Sequence, residues 1–210
     1  MKKGGRIITH SLDPRIAYFD GLAEGWDADP AKIERTIARL EELRPRLALG
    51  SGQDLLEVGC GTGQVTAWLC SAVWPGRVVA IDFAPAMVAR AQAKGIAAEF
   101  RVGDICRQPP ERGAFDVAFC FHSFPHFRDP PAALANLRVS LKPGGRLIVM
   151  HLAGSETINA VHSGLGGAVG GDLLPSAEAW TEMLNSAGLT LHERIDRDDL
   201  FFLRAVTAAT

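Results

Sequence analysis

The sequence predicts an α/β domain with a doubly wound, mostly parallel sheet, and three observations support this prediction. From residue 53 onward, short apolar segments alternate with helical patterns. The apolar segments are hydrophobic at consecutive positions, which is typical of parallel strands that helices cover on both faces. The first segment runs into a turn with Gly59, Gly61 and Gly63, a pattern that favours close approach of a ligand to the backbone.

Residues 1–50 are predicted to form an N-terminal helical cap. Asp13-Pro14 and Asp29-Pro30 are both helix-start signals, because the acid can cap the first turn and proline fits its first position. The second helix carries one apolar stripe, formed by Ile33, Ile37, Leu40 and Leu43. The break Gly50-Ser51-Gly52 then separates the cap, 1–50, from the main domain, 51–210.

The strands of the main domain are predicted at 53–58, 77–81, 97–102, 115–121 and 146–150, followed by 189–195 and 200–206. Predicted helices are 63–72, 85–94, 130–141 and 176–187. The short charged turn 196–199 makes the last two strands an antiparallel pair. Residues 153–175 are rich in glycine and show no clear period, so we predict a long loop that acts as a lid or a binding segment.

Composition excludes several classes of protein. A net charge of −2 gives no electrostatic argument for binding nucleic acid or an anionic membrane surface. The four cysteines form no Cys-x-x-Cys pair, and we expect reduced, mostly buried thiols in a cytoplasmic protein. The basic N-terminus is not followed by an apolar signal core, and no apolar run is long enough to span a membrane.

The glycine-rich turn departs from two common nucleotide-binding patterns. A dinucleotide fingerprint needs a third glycine at position 64, where this chain has Gln64. A phosphate-binding loop needs a lysine followed by serine or threonine, and neither pair occurs there. Instead, Glu57 lies two residues before Gly59, and the second strand ends in Asp82.

Four motifs, in order, resemble those of the class I S-adenosylmethionine-dependent methyltransferases, in particular the type 11/25-like members that act on small molecules. They are residues 55–63 (LLEVGCGTG), 79–87 (VAIDFAPAM), 102–105 (VGDI) and 141–147 (LKPGGRL). The resemblance covers about residues 53–151. It implies a Rossmann-like, seven-stranded sheet in the order 3-2-1-4-5-7-6 with the last strand antiparallel.

The resemblance implies S-adenosyl-L-methionine as cofactor and S-adenosyl-L-homocysteine as product. Asp82 would accept both ribose hydroxyls, Phe83 and Ile105 would sandwich the adenine, Asp104 would accept its amino hydrogen, and Glu57 would orient the glycine turn and the charged amino-acid end. Asp82 as a helix cap and Asp104 as a turn residue are the alternatives. The cofactor contacts expected in full are Tyr18, Trp26, Glu57, Gly59, Cys60, Gly61, Asp82, Phe83, Met87, Asp104, Ile105, Phe121 and His122.

Four of the six histidines are predicted at the mouth of this site, namely His122, His126, His151 and His162. Three hypotheses remain open for them. His122 can line the cofactor; His126 or His151 can act as a general base; or His126, His151 and His162, with Asp172, can bind a metal ion. His10 and His192 are expected at the surface.

The predicted function is therefore methyl transfer to a small-molecule acceptor. The sequence shows no basic patch, no aromatic-basic strip and no added recognition domain, so we expect no nucleic-acid and no membrane partner. We expect a monomer or a homodimer. Two alternatives stay open: a relative that uses the sulfonium for non-methyl chemistry, and a cofactor-binding module without catalysis.

Overall fold

The computed structural model describes residues 13–209, so His10 and the basic residues of the N-terminus lie outside the described part. The helices are α1 (Pro14–Leu22), α2 (Pro30–Leu47), α3 (Thr66–Val73), α4 (Pro85–Ala93), α5 (Pro130–Ser140), α6 (Ser155–Leu165) and α7 (Ala177–Ser186). The strands are β1 (Leu55–Val58), β2 (Val78–Asp82), β3 (Glu99–Val102), β4 (Phe115–Phe121), β5 (Leu141–His151), β6 (Leu189–Arg197) and β7 (Leu200–Thr207).

These strands form a seven-stranded sheet in the order β3-β2-β1-β4-β5-β7-β6. The first five strands pair in parallel, whereas β7 pairs antiparallel with both β5 and β6. The predicted fold class and strand order are therefore confirmed. The final hairpin turns at Asp198 and Asp199, because β6 extends to Arg197, beyond its predicted end.

Both faces of the sheet are buried, which explains why the strands are continuously apolar. On one face, Leu56 and Val58 of β1 belong to a cluster with Leu137 of α5 and Trp180 of α7. On the other face, Leu55 of β1 packs in a cluster with buried residues of α2 and α3, among them Leu40, Leu47, Leu69 and Val73. Alternate side chains of a strand point to opposite faces, so each strand supplies both clusters.

The two N-terminal helices begin where the sequence predicts. The Asp13 carboxylate accepts the Arg15 N–H at 3.0 Å, and the Asp29 carboxylate accepts the Lys32 N–H at 2.9 Å. These bonds satisfy backbone donors that have no partner within a first helical turn. The division of the chain at residue 50 stays a prediction, and α2 shares a hydrophobic cluster with the strands of the main domain.

The prediction of a long loop at 153–175 is wrong. The segment contains α6 and a 3₁₀ turn at Gly167–Val169. The helix has a physical basis in the sequence: Ile158, Val161 and Leu165 recur at helical spacing, and Gly166 ends the helix with a φ of 62°. Among the described residues, no helix has the length and apolar character needed to cross a membrane.

Candidate active site

The carboxyl ends of β1, β2, β4 and β5 border one cleft of about 950 Å³. In strand order, β1 and β4 are neighbours, and the chain winds outward from β1 through β2 to β3 on one side and from β4 to β5 on the other. Open α/β sheets bind ligands at such a switch point. Residues of α1, α2 and α6 complete the wall. The volume is near the upper end of the range of small-molecule pockets, about 300–1,000 Å³, so it can hold two ligands side by side.

The glycine turn after β1 is shaped by close backbone packing. Gly59 has a φ of 76°, and an added Cβ would lie 2.3 Å from the Cβ of Ser123. Gly61 has a φ of 54°, and its added Cβ would meet only the Trp26 indole nitrogen, at 3.6 Å. Gly59 is thus required by the protein's own packing, whereas Gly61 leaves its backbone open toward the cleft that it lines.

Asp82 closes β2 beside this turn and is only 7% exposed. Its Oδ2 accepts the Gly61 N–H at 2.8 Å, and its Oδ1 accepts the Ala84 N–H at 2.9 Å. The second bond closes a local turn just before α4, whose first helical turn receives no side-chain cap, so the carboxylate does not act as the helix cap that the alternative describes. Burial raises the pKa of Asp82, and the two backbone hydrogen bonds oppose that rise without cancelling it.

Glu57 lies on β1 with 2% of its surface exposed and lines the cleft. The Thr66 hydroxyl donates to its Oε2 at 2.6 Å. No lysine, arginine or histidine of residues 13–209 forms an ion pair with it. Burial raises the pKa of Glu57 to about 8, with the Thr66 hydrogen bond opposing the rise and the nearby Asp82 charge adding to it. A buried carboxyl group without an ion-pair partner in the described chain suits a cationic group of a ligand, because the cation would favour its ionised form.

An apolar wall lies on the other side of Asp82. Phe83, Met87 and Ile105 line the cleft, with Met87 and Ile105 almost fully buried. Phe121 at the end of β4 also lines it. These predicted contacts of the cofactor therefore line the same cleft, and their apolar side chains suit a planar ring.

Asp104 lines the cleft but is already engaged on both oxygens. Its Oδ1 accepts the Cys106 N–H at 2.9 Å, and its Oδ2 pairs with Arg107 at 3.2 Å and with Arg128 at 3.1 Å. The alternative assignment as a turn residue describes these contacts well. Any contact with a ligand must use the remaining lone pairs of these oxygens.

Two predicted cofactor contacts, Tyr18 and Cys60, do not line the cleft. Phe19 does so instead, with its ring centroid 5.7 Å from Phe83 and 6.0 Å from Trp26. Trp26 lines the cleft as expected. Ile16 and Phe19 lie three residues apart on the side of α1 that lines the cleft, but this stripe is too weak to predict that side from the sequence. The N–H of Cys60 donates to Ile81 within the fold.

His122 follows β4 in a left-handed conformation, with a φ of 53°. A residue with a Cβ rarely adopts it, and such strain concentrates at functional sites. The side chain faces the open cleft, and its Nε2 lies 3.5 Å from the Leu152 N–H. The surrounding protein atoms desolvate the ring, and the charges of Lys32 and His126 add to that effect, so the pKa of His122 is lowered.

His151, at the end of β5, is 2% exposed and lies edge-on to His122, with ring centroids 5.1 Å apart. Burial lowers its pKa well below the ordinary value, so the imidazole is neutral at pH 7. Its buried Nε2 has no hydrogen-bond partner among the described residues. His162, on α6, also has its pKa lowered by burial and by His126.

His126 forms the best-defined polar contact of the histidine group. Its Nδ1 lies 2.8 Å from Oδ2 of Asp172, whose side chain is 1% exposed. The Arg15 guanidinium from α1 also binds both oxygens of Asp172, with Nε at 2.9 and 3.0 Å. Burial acts to raise the pKa of Asp172, but the hydrogen bonds from His126 and Arg15 outweigh it, so the pKa is lowered. The ionised carboxylate only accepts; Nδ1 therefore carries the proton and Nε2 is left free.

The metal hypothesis finds no support in the structure. Residues 13–209 contain no group of three or more histidine, cysteine, aspartate or glutamate side chains placed to hold a metal ion. Asp172 is taken up by Arg15 and His126, and His162 approaches His126 ring to ring, with centroids 4.9 Å apart. His192 is exposed, as expected.

Comparisons with known proteins agree with this architecture. Residues 56–149 match a family model described as a methyltransferase domain. Ubiquinone biosynthesis O-methyltransferase from Xanthomonas euvesicatoria pv. vesicatoria is 35% identical over 145 residues, which cover 64% of this chain and 59% of that protein. Nocamycin O-methyltransferase from Saccharothrix syringae is 38% identical over 137 residues, covering 61% and 48%. The chain thus spans about half the length of the curated relatives it matches.

A solved structure of a SAM-dependent methyltransferase from Aquifex aeolicus has the same fold, with a TM-score of 0.67 at 23% identity. The likeness covers 86% of this chain and 99% of that one. The ordered motifs, the strand order and the sequence matches all point to one family. In its matched domain and its fold, the chain resembles the class I S-adenosylmethionine-dependent methyltransferases.

Proposed function

We propose that this protein transfers the methyl group of S-adenosylmethionine to an oxygen atom of a small-molecule acceptor. The observation that carries the proposal is the His126–Asp172 pair, because His126 lines the same cleft as the glycine turn and Asp82 while Asp172 binds it from behind. The relatives named above are O-methyltransferases, which supports oxygen as the nucleophile. S-adenosylmethionine supplies a methyl carbon made electrophilic by the adjacent sulfonium, and S-adenosylhomocysteine remains after transfer.

The residues after β1 and β2 fit the cofactor. Asp82 has one backbone N–H on each carboxylate oxygen, so each oxygen retains a lone pair for a ribose hydroxyl. Glu57 offers a buried carboxylate without a cationic partner in the described chain, which suits the ammonium of the amino-acid end. Phe83 and Ile105 offer apolar surfaces for the adenine. Asp104 would contact the adenine only through lone pairs left free by its two arginines.

His126 is proposed as the general base. Asp172 fixes the proton on Nδ1, which leaves Nε2 to take the proton of the acceptor hydroxyl as the carbon–oxygen bond forms. Arg15 holds Asp172 in place and ties α1 to the loop that follows α6. His122 and His151, both neutral at pH 7, are proposed to line the methyl-transfer region without carrying a proton.

The test begins with the cofactor. S-adenosylhomocysteine binding is measured by calorimetry for the wild type, Asp82→Asn and Asp104→Asn. We expect the first variant to weaken binding at least tenfold and the second to weaken it much less, since three protein contacts already occupy most of the lone pairs of Asp104. Equal, small effects of both substitutions would remove Asp82 from the proposed site.

The chemistry is tested with radiolabelled S-adenosylmethionine and separate panels of phenols, hydroxy acids, thiols and amines. We expect label to appear in an oxygen-methylated product. His126→Gln should lower kcat by about 10²–10⁴-fold, the range of a general base, while leaving the affinity for S-adenosylhomocysteine unchanged. His192→Gln is the matched control, because His192 is exposed and outside the cleft. Tight cofactor binding without product in any panel would contradict the proposal.

A further inference from the structure

The part of the cleft beyond His126 is formed by helices rather than by strand ends. We call it the acceptor end, and it is lined by Ile16 and Leu22 of α1, Lys32 and Ile33 of α2, and Val161 and Leu165 of α6. The contrast with the cofactor side is chemical. The strand ends present two buried carboxylates, Glu57 and Asp82, whereas the acceptor end is mostly aliphatic.

The carboxylates near the acceptor end are already used by the protein. Asp172 binds Arg15 and His126, and Asp13 pairs with Arg15 at 3.4 Å. Asp29 caps α2 and pairs with Arg35 at 3.7 Å. A ligand cation entering this region would therefore find no free carboxylate among the described residues.

Lys32 differs from these carboxylates in its pairing. It is exposed in the first turn of α2, lines the cleft, and forms no ion pair with any carboxylate of residues 13–209. The Asp29 carboxylate nearby accepts the Lys32 backbone N–H and faces Arg35, so the local balance of charge stays positive. The acceptor end therefore contains one cation that no carboxylate of the described residues pairs with.

One face of α6 carries an apolar surface from inside the cleft to its rim. Ile158 is 8% exposed, whereas Val161 and Leu165 are each 56% exposed. Leu22, 40% exposed, lies across the same mouth on α1. Exposed aliphatic side chains that continue a cleft wall are typical of a ligand groove.

We propose that the acceptor is an amphipathic molecule with a neutral or anionic oxygen head near Lys32 and an aliphatic or aromatic body across Val161 and Leu165, and that cationic amines are disfavoured. This inference rests on the proposed function for the role of that oxygen. The reason for the charge preference is desolvation: a cation moved from water into the acceptor end gains no ion pair there with the described residues, whereas an anion gains Lys32.

The test uses three eight-carbon probes that differ only in the head group: octanoate, 1-octanol and octylammonium. Each is titrated at pH 7 into the full chain, both alone and saturated with S-adenosylhomocysteine. We expect octanoate to bind at least tenfold more tightly than octylammonium, and Lys32→Gln to reduce its affinity to that of 1-octanol. Octylammonium binding as tightly as octanoate would overturn the charge assignment.

The position of the apolar body is tested with Val161→Ser combined with Leu165→Ser. We expect at least a fivefold loss of octanoate affinity and an unchanged affinity for S-adenosylhomocysteine. Val102→Ser is the matched control, because Val102 has the same 56% exposure but lies outside the cleft. Equal effects of the double variant and the control would overturn the assignment, as would vesicle binding that needs Val161 and Leu165 while octanoate binding does not.

The failure of this inference and that of the proposed function give different results. A protein that binds S-adenosylhomocysteine and methylates an oxygen acceptor but shows no preference for octanoate loses only the inference. A protein that binds octanoate as described but transfers no methyl group loses only the proposed function. The octanoate titration without S-adenosylhomocysteine gives a result whether or not the protein transfers a methyl group.

Discussion

Glu57 makes the stability of the protein depend on pH in a direction unusual for an acid. Its carboxyl is buried beside Thr66 with no ion-pair partner among residues 13–209, and burial raises its pKa from 4.5 to about 8. Between these two values the folded protein holds a proton that the unfolded chain has lost. The stabilising effect is complete below the unfolded pKa and is lost as the pH rises through about 8.

The size of the effect follows from the shift in pKa. A difference of about 3.5 units corresponds to about 5 kcal/mol in all, and the two units between pH 6 and the folded pKa of about 8 correspond to about 3 kcal/mol within the range of the assay. Glu57→Gln removes the titration and keeps an oxygen that accepts the Thr66 hydroxyl. The variant should therefore lose much less stability than the wild type between pH 6 and pH 9.

The assay is urea unfolding at pH 6, 7, 8 and 9 for both proteins, followed by fluorescence. The difference between them isolates Glu57 from other groups that titrate in this range. The same series with S-adenosylhomocysteine tests the proposed ammonium contact, because pairing favours the ionised carboxylate: the ligand-induced stabilisation should grow from pH 6 to pH 8 in the wild type only. Parallel stability curves for the two proteins would refute the reasoning.

Three further predictions concern other residues of the cleft. His151→Phe should reduce the loss of unfolding free energy between pH 7 and pH 5 by about 2 kcal/mol. The pKa of His151 is depressed in the folded protein, so only the unfolded chain gains that proton over this range. Denaturant midpoints at both pH values measure this, and an unchanged difference contradicts it. Asp172→Asn should lower kcat at least tenfold and alter its pH profile, since the orienting charge on His126 is lost; full activity would show that the pair is structural. Gly59→Ala should lower the free energy of unfolding by about 2–5 kcal/mol and Gly61→Ala by about 1–2 kcal/mol, as measured by thermal unfolding. Both residues have a positive φ, but only the added Cβ at Gly59 also clashes with a neighbouring side chain.

The strand framework was predictable because each strand is marked by local features. The apolar runs and the glycine turn gave β1 and β2, and the resemblance supplied the strand order, which the structure confirms. The helix within 153–175 was missed because the glycines of this region indicated a loop more strongly than the spacing of its apolar residues indicated a helix. The spacing of Ile158, Val161 and Leu165 within α6 carried the helical signal that was missed.

The candidate site was harder to predict where it depends on contacts between distant parts of the chain. Asp172 was predicted as a partner for a metal ion, whereas it binds Arg15, 157 positions away, and His126. No spacing rule connects residues on α1 and on the segment after α6. The choice between Tyr18 and Phe19 depended on the rotation of α1, which a nine-residue helix with a weak apolar stripe does not fix.

The cofactor side of the cleft is formed by strand ends and the acceptor end by helices, and this division has an evolutionary consequence. Glu57 and Asp82 sit on strand ends that cannot move without disturbing the sheet, whereas Lys32, Val161 and Leu165 project from helices whose exposed surfaces tolerate change. Under the proposed function, mutation of these helices can therefore retarget the protein to new acceptors while its methyl donor stays constant. A chimera that receives α6 from a relative should inherit the relative's choice of acceptor and keep its own affinity for the donor.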